Sequence, residues 1–91
     1  MSEPAVLAPR GRLVRLVEQL LAGNAILRSV APDDGLTAIG LTSIDMVNLM
    51  LAVEAEFDIT IPQAEITPEN FRSVASIEAM VQKLLPQATA P

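Results

Sequence analysis

The sequence predicts an all-α domain, and three observations carry that reading. Apolar residues make up 51% of the chain, yet only Phe57 and Phe71 are aromatic. A core must therefore come from Leu, Ile, Val, Met and Ala, a mix suited to helices. Apolar positions recur at helical spacing in three stretches. No run alternates with period two for long enough to be a strand; Ile59-Thr60-Ile61 is the sole candidate and is too short.

The first helix opens near Pro9, since proline is tolerated at the first helical position, where its missing N–H would be unpaired anyway. Leu13, Leu16, Val17, Leu20, Leu21 and Asn24 follow at helical spacing, with Arg12, Arg15, Glu18 and Gln19 on the other face. Gly23-Asn24 is a natural C-terminal pair. Ala25 to Val30 either continue the helix after a kink or form a short turn. Ala31-Pro32-Asp33-Asp34-Gly35 signals a long loop that runs on to Gly40. Leu36 and Ile39, three residues apart, are expected to point inward as pegs, because so long a loop in a small domain needs anchors. The second helix spans Ser43 to Phe57, and Asp58 to Gln63 break it. Thr67-Pro68-Glu69-Asn70 reads as a cap followed by proline at the first helical position, which predicts a one-turn third helix. Ser73 caps the last helix, with Val74, Ile77, Val81 and Leu84 on one face and Pro86 as its stop. Residues 1–9 and 86–91 read as disordered tails around a single domain at 10–85, with no internal repeats.

Composition excludes several classes of function. The chain has no Cys and no His. That removes disulfides, thiolate nucleophiles, the usual zinc sites and Ser-His-Asp catalysis. Net charge is −5, which argues against a nucleic-acid partner, because phosphates are neutralised by Lys and Arg. The charge is uneven. Residues 1–30 hold four Arg against two Glu, and residues 31–91 hold nine acids against two bases. A steered partner is therefore expected to be basic and to approach the later part of the chain. No apolar run reaches the roughly 20 residues of a membrane span, and no signal-like segment precedes the fold. A cytoplasmic monomer is expected.

The second helix has two apolar faces. On a wheel at about 100° per residue, Leu49, Val53, Met46, Phe57 and Met50 form an ordinary core-facing stripe. Ile44, Val47, Leu51 and Ala55 lie almost opposite. Ser43 and Glu54 share one polar seam; Asp45, Glu56, Asn48 and Ala52 form the other. The second stripe is either a buried face of a central helix or an exposed ridge of Ile44, Val47 and Leu51 that docks a partner. Large exposed apolar patches are rare in monomers unless they bind something.

That ridge begins beside Ser43. Thr42 is a good N-cap, and Asp45 three residues on completes a capping box in which Asp replaces Glu or Gln. The plain reading of Thr42-Ser43 is a helix start and nothing more. With the cap assigned to Thr42, however, the Ser43 hydroxyl is free at the first helical position. A phosphate there would meet the positive end of the helix dipole and unpaired N–H groups. Gly40 is expected to let another protein's active site approach the backbone.

Gly40-Leu41-Thr42-Ser43-Ile44-Asp45, with Val47, Leu49, Ala52, Glu54, Glu56, Phe57, Asp58, Ile61 and Pro62, resembles the acyl carrier proteins. Their pattern is Leu-Gly-x-Asp-Ser-Leu-Asp followed by Glu-x-x-Phe-x-x-x-Ile-Pro. The resemblance implies a four-helix bundle with a short third helix and a long loop between helices 1 and 2. It implies that a phosphopantetheinyl transferase attaches 4'-phosphopantetheine from coenzyme A to Ser43. The arm would supply the only thiol of a chain without Cys and hold an acyl or aminoacyl group as a thioester. The protein would be a carrier and not an enzyme. Its partners would be the transferase, an acyl- or aminoacyl-loading ligase, and a downstream acyltransferase, synthase or thioesterase. Thr42, Ile44, Asp45, Val47, Leu51 and Glu54 would form the docking surface.

The chain departs from the family's fatty-acid type. Thr42 stands where Asp usually precedes the serine. Asn48 and Ala55 stand where Glu is frequent, and Phe71-Arg72-Ser73-Val74 replaces an aliphatic-Thr-Thr-Val run. The resemblance implies presentation of acyl groups to partner enzymes of fatty-acid, lipid or secondary-metabolite biosynthesis, and these departures suggest a specialised, free-standing carrier outside routine fatty-acid synthesis. The alternative is an aminoacyl or peptidyl carrier loaded by an ATP-dependent amino-acid ligase. A reading from a different class is an unmodified helical interaction module. An enzyme acting through its carboxylates has the least support, since no pair is spaced for the work.

Overall fold

The computed structural model describes residues 9–85. The expected tails lie outside that range except for Pro9, which opens the first helix. The described residues hold three α-helices and no strand: α1 (Pro9–Gly23), α2 (Ser43–Phe57) and α3 (Val74–Leu84). The all-α expectation holds. α1 packs against both other helices. It buries Leu13, Val17 and Leu21, four residues apart, against Leu49, Val53 and Phe57 of α2 and Val74, Ile77 and Val81 of α3.

The one-turn helix expected at Thr67-Pro68-Glu69-Asn70 is a hydrogen-bonded turn instead. The short helical element between α2 and α3 is a 3₁₀ turn at Gln63–Glu65. The predicted cap does form, with the Thr67 hydroxyl accepting from Asn70 N–H at 3.1 Å. Helix does not propagate because the Asn70 amide reaches back to the Glu65 carbonyl at 2.8 Å and its carboxylate at 3.0 Å. That folds 65–70 into a tight corner, held to α3 by Lys83 on Glu65 at 2.9 Å. The last helix matches its prediction. Ser73 caps it in a capping box with Ser76, and Leu85 after it is extended, as a residue before proline must be.

The long loop is anchored as its apolar spacing predicts. Leu36 is buried and Ile39 packs on the core. Backbone bonds also stitch the loop to α3: Leu36 N–H donates to the Arg72 carbonyl, and Ala75 N–H to that of Pro32, both at 2.9 Å. The Glu18 carboxylate accepts Val30 N–H at 2.9 Å from across the loop.

Among the described residues three have positive φ, and each closes a helical segment with a bond spanning five residues. At the end of α1, Ile26 N–H donates to Leu21 C=O at 2.8 Å, with Ala25 at φ 64°. At the end of the loop turn, Leu41 N–H donates to Leu36 C=O at 3.1 Å, with Gly40 at φ 126°. At the end of α2, Ile59 N–H donates to Glu54 C=O at 3.1 Å, with Asp58 at φ 53°. This is the Schellman closure, which needs a left-handed residue just past the helix. Gly23, expected to help end α1, is its last helical residue, and the left-handed position falls on Ala25. Ala25→Gly should therefore raise stability in urea denaturation by about 0.5 kcal/mol, the left-handed penalty less the freedom glycine adds to the unfolded chain. Gly40→Ala should lower it by roughly 1–3 kcal/mol, because φ 126° suits only glycine.

Candidate functional site

Ser43 is exposed at the first position of α2, immediately after the Thr42 N-cap. The capping box forms as predicted. Thr42 Oγ1 accepts Asp45 N–H at 3.2 Å, and Asp45 Oδ2 accepts Thr42 N–H at 2.8 Å. The Thr42 hydroxyl also donates to that same carboxylate oxygen at 2.9 Å. A third donor arrives from outside the helix: Asn24 Nδ2, at 2.8 Å, from just beyond the end of α1.

These bonds hold the Asp45 carboxyl below its ordinary value of 3.8, first through the Thr42 N–H, then the Asn24 amide, then the Thr42 hydroxyl. Burial of the residue, which is 9% exposed, works the other way and is outweighed. Asp45 was expected on a polar seam and in the docking surface. It faces inward, toward α1, because its wheel position borders the core stripe that starts at Leu49.

Ser43 itself has no such ties. Its hydroxyl makes no hydrogen bond to the described residues, and neither its own N–H nor that of Ile44 has an acceptor among them. A hydroxyl free of internal bonds, beside two open N–H groups at the positive end of a 15-residue helix, fits a phosphodiester well. The neighbouring carboxylate is turned away toward Asn24, so it does not repel an anion head-on. Ser43 and the Ser43–Ile44 N–H groups would hold such a group.

The second apolar stripe is exposed. Ile44 is 74% exposed, Val47 54% and Leu51 53%. The alternative, a central helix buried on both sides, does not occur, because α1 lies on one side of α2 only. Glu54, expected at the docking surface, is committed instead: its Oε2 accepts Ile61 N–H at 2.8 Å and holds the chain after α2. Glu56 pairs with Arg12 at 2.7 Å, and the Arg12 guanidinium lies 4.4 Å over the Phe57 ring. All three acids within α2 are thus bonded inside the molecule.

Beside Val47 lies an apolar recess of about 670 Å³, walled by Met46 and Met50 of α2 and by Ile66, Pro68 and Phe71 of the segment before α3. Gly40 departs from its expected role. A Cβ there would stand 2.5 Å from Ile26 Cδ1, so its missing side chain makes room for this chain's own Ile26. Sequence reasoning missed Asn24 and Ile26. The Gly23-Asn24 pair reads as a helix stop, and no spacing rule connects position 24 with position 45. No group of acids among the described residues could hold a metal ion, and no helix there is long and apolar enough to cross a membrane.

The family model described as phosphopantetheine attachment site matches residues 12–81. Aminoacyl carrier protein 1 of Bradyrhizobium diazoefficiens is 58% identical over 89% of this chain and 90% of its own length. Among solved structures, a chain in the crystal structure of Bradyrhizobium japonicum glycine:carrier protein ligase complexed with cognate carrier protein and an analogue of glycyl adenylate is similar. It superposes with a TM-score of 0.72 at 56% identity, over 84% of this chain and 99% of that one. A chain in the crystal structure of that ligase complexed with glycylated carrier protein gives 0.70 at 57% identity, over 80% of this chain and 99% of that one.

The lowered Asp45 carboxyl has a consequence for stability. A group whose folded value is depressed stabilises the fold fully above its ordinary value and loses that contribution as pH falls through the folded value. The Asp45 carboxyl ¹³C resonance should titrate below 3.8. Wild type should lose stability relative to Asp45→Asn on acidification through that range. Thr42→Ala, which removes the cap hydroxyl, should cost about 1 kcal/mol at neutral pH.

Proposed function

Because this chain belongs to the phosphopantetheine attachment site family, we propose that it is an aminoacyl carrier with its 4'-phosphopantetheine on Ser43. The observation that carries the assignment to Ser43 is its free, exposed hydroxyl at the start of α2, next to a ridge of exposed apolar residues. Attachment forms a bond between Ser43 Oγ and the pantetheine-bearing phosphorus of coenzyme A. The bond from that phosphorus to the bridging pyrophosphate oxygen breaks, adenosine 3',5'-bisphosphate leaves, and the serine proton passes to a base of the transferase. The arm supplies a terminal thiol that holds the cargo as a thioester. The chain's own residues position the arm and present it; chemistry on the cargo belongs to partner enzymes.

Aminoacyl cargo is supported by the similarity to aminoacyl carrier proteins and to carrier chains solved with a glycine ligase. Glycine is the first amino acid to test. Departures from the fatty-acid type point the same way, since Asn48 and Ala55 thin the acids on α2. The four-helix count of the family is completed in this reading by the turns at 63–71. A second reading, carriage of an aliphatic acyl group, is favoured by the apolar recess beside Val47 and is separated from the first by the cargo found.

Docking rests on Ile44, Val47 and Leu51, with little help from charge, because Asp45, Glu54 and Glu56 are bonded within the fold. Three outcomes are expected. With a broad-specificity phosphopantetheinyl transferase and coenzyme A, intact mass should show one added arm on wild type and none on Ser43→Ala. An equal gain by both would remove Ser43 from the site. Val47→Asp and Leu51→Asp should keep helical circular dichroism and lose loading by an aminoacyl ligase at least tenfold; lost helicity would assign them to the core. Ligase affinity should change less than about threefold between about 0.05 and about 0.5 M salt, as for a contact with few exposed charges.

A further inference from the structure

We propose that the corner at residues 24–26, just past α1, is a positioning device for the attachment serine, with Asn24 as its main positioning residue. This rests on the assignment of Ser43 above. The corner touches the α2 junction at two points, one on each side of Thr42-Ser43. Ahead of them, the tip of Ile26 occupies the space a Gly40 side chain would need, with Cδ1 2.5 Å from an ideal Cβ. Behind them, Asn24 Nδ2 donates to Asp45 Oδ2 at 2.8 Å.

The corner is itself stiff. Ala25 N–H and Ile26 N–H both return to α1 carbonyls, at 2.9 and 2.8 Å, and Ala25 is locked in the left-handed region. The Asn24 amide therefore has a fixed origin. It adds its bond to the same oxygen that receives Thr42 N–H and Thr42 Oγ1. The chain of contact runs from α1 through Asn24 and Asp45 to Thr42, and Ser43 is the next residue. Removing the amide leaves the capping box with two of its three donors to Oδ2. The helix survives, but its first turn is free to fray, and Ser43 Oγ samples more directions. Of the apolar ridge, Ile44 lies in that first turn, but Val47 and Leu51 lie farther along α2 and are exposed on the side away from α1, so most of the docking surface is untouched.

An effect on positioning without docking has a defined kinetic form. Arm transfer to the apo full-length chain would be followed by intact mass, at varied carrier concentration, with coenzyme A and a broad-specificity transferase. Wild type must gain the arm and Ser43→Ala must not; that pair tests the assignment of Ser43 separately. Asn24→Ala is expected to lower kcat about tenfold, with KM within about twofold, as for a misplaced nucleophile. Asn24→Asp, equal in size but unable to donate when ionised, is expected to be slower still, because it sets a second carboxylate against Asp45. Ile26→Val, which only shortens the contact on Gly40, should fall between Asn24→Ala and wild type. Amide hydrogen exchange on the apo proteins gives a readout independent of the transferase: Thr42 N–H should exchange faster in both Asn24 variants. Wild-type kcat in Asn24→Ala, or near-wild-type behaviour of the isosteric Asn24→Asp, would overturn the proposal. So would a loss carried wholly by KM.

Discussion

The structure around the serine depends on one carboxylate oxygen. Asp45 Oδ2 receives the backbone of Thr42, the hydroxyl of Thr42 and the amide of Asn24. Two of these bonds begin α2 where it begins; the third fixes that beginning to α1. Hydrogen bonds to an ionised acceptor are roughly twice as strong as neutral ones, and here three share a single acceptor. With Asp45 holding the junction, Thr42 serves the cap and Ser43 keeps its hydroxyl and N–H free. An attachment point needs both properties at once: a rigid backbone beneath it and an unoccupied side chain above it.

The same economy of carboxylates shapes the outer face of α2. A net charge of −5 suggests an acidic docking surface. The structure distributes the acids differently. Asp45 closes the capping box, Glu54 holds Ile61, and Glu56 meets Arg12, while Glu18 and Asp34 hold loop N–H groups at Val30 and Ala31. What α2 leaves exposed among its large apolar side chains is Ile44, Val47 and Leu51. Association through such a ridge gains its free energy from apolar burial, at about 25 cal/mol per Å², and its specificity from shape more than from steering.

Much of this was legible in the sequence. The bounds of α2, the Thr42–Asp45 box, the Ser73 cap, the loop pegs and the second apolar stripe all follow from rules that link residues within about one or two turns of each other, while the exposure of that stripe is decided by packing. The rest depended on contacts across the chain. Asn24 reaches Asp45, Ile26 fills the space at Gly40, and Glu54 reaches around the end of α2 to Ile61; periodicity records none of these. Ala25 in the left-handed region was invisible for another reason. Propensity favours glycine there, and tertiary packing overrode it, as it overrode the one-turn helix at Thr67 through the side chain of Asn70.

The chain has neither Cys nor His, and the polar groups of the α1–α2 junction are bonded to one another around a Ser43 hydroxyl that makes no hydrogen bond to the described residues. The most direct test is top-down mass spectrometry of the protein purified from its native cells under conditions that preserve thioesters. One phosphopantetheine localised to Ser43 is expected, with an aminoacyl group released from it by hydroxylamine as the hydroxamate. Ser43 bare, or the arm on another residue, would contradict it.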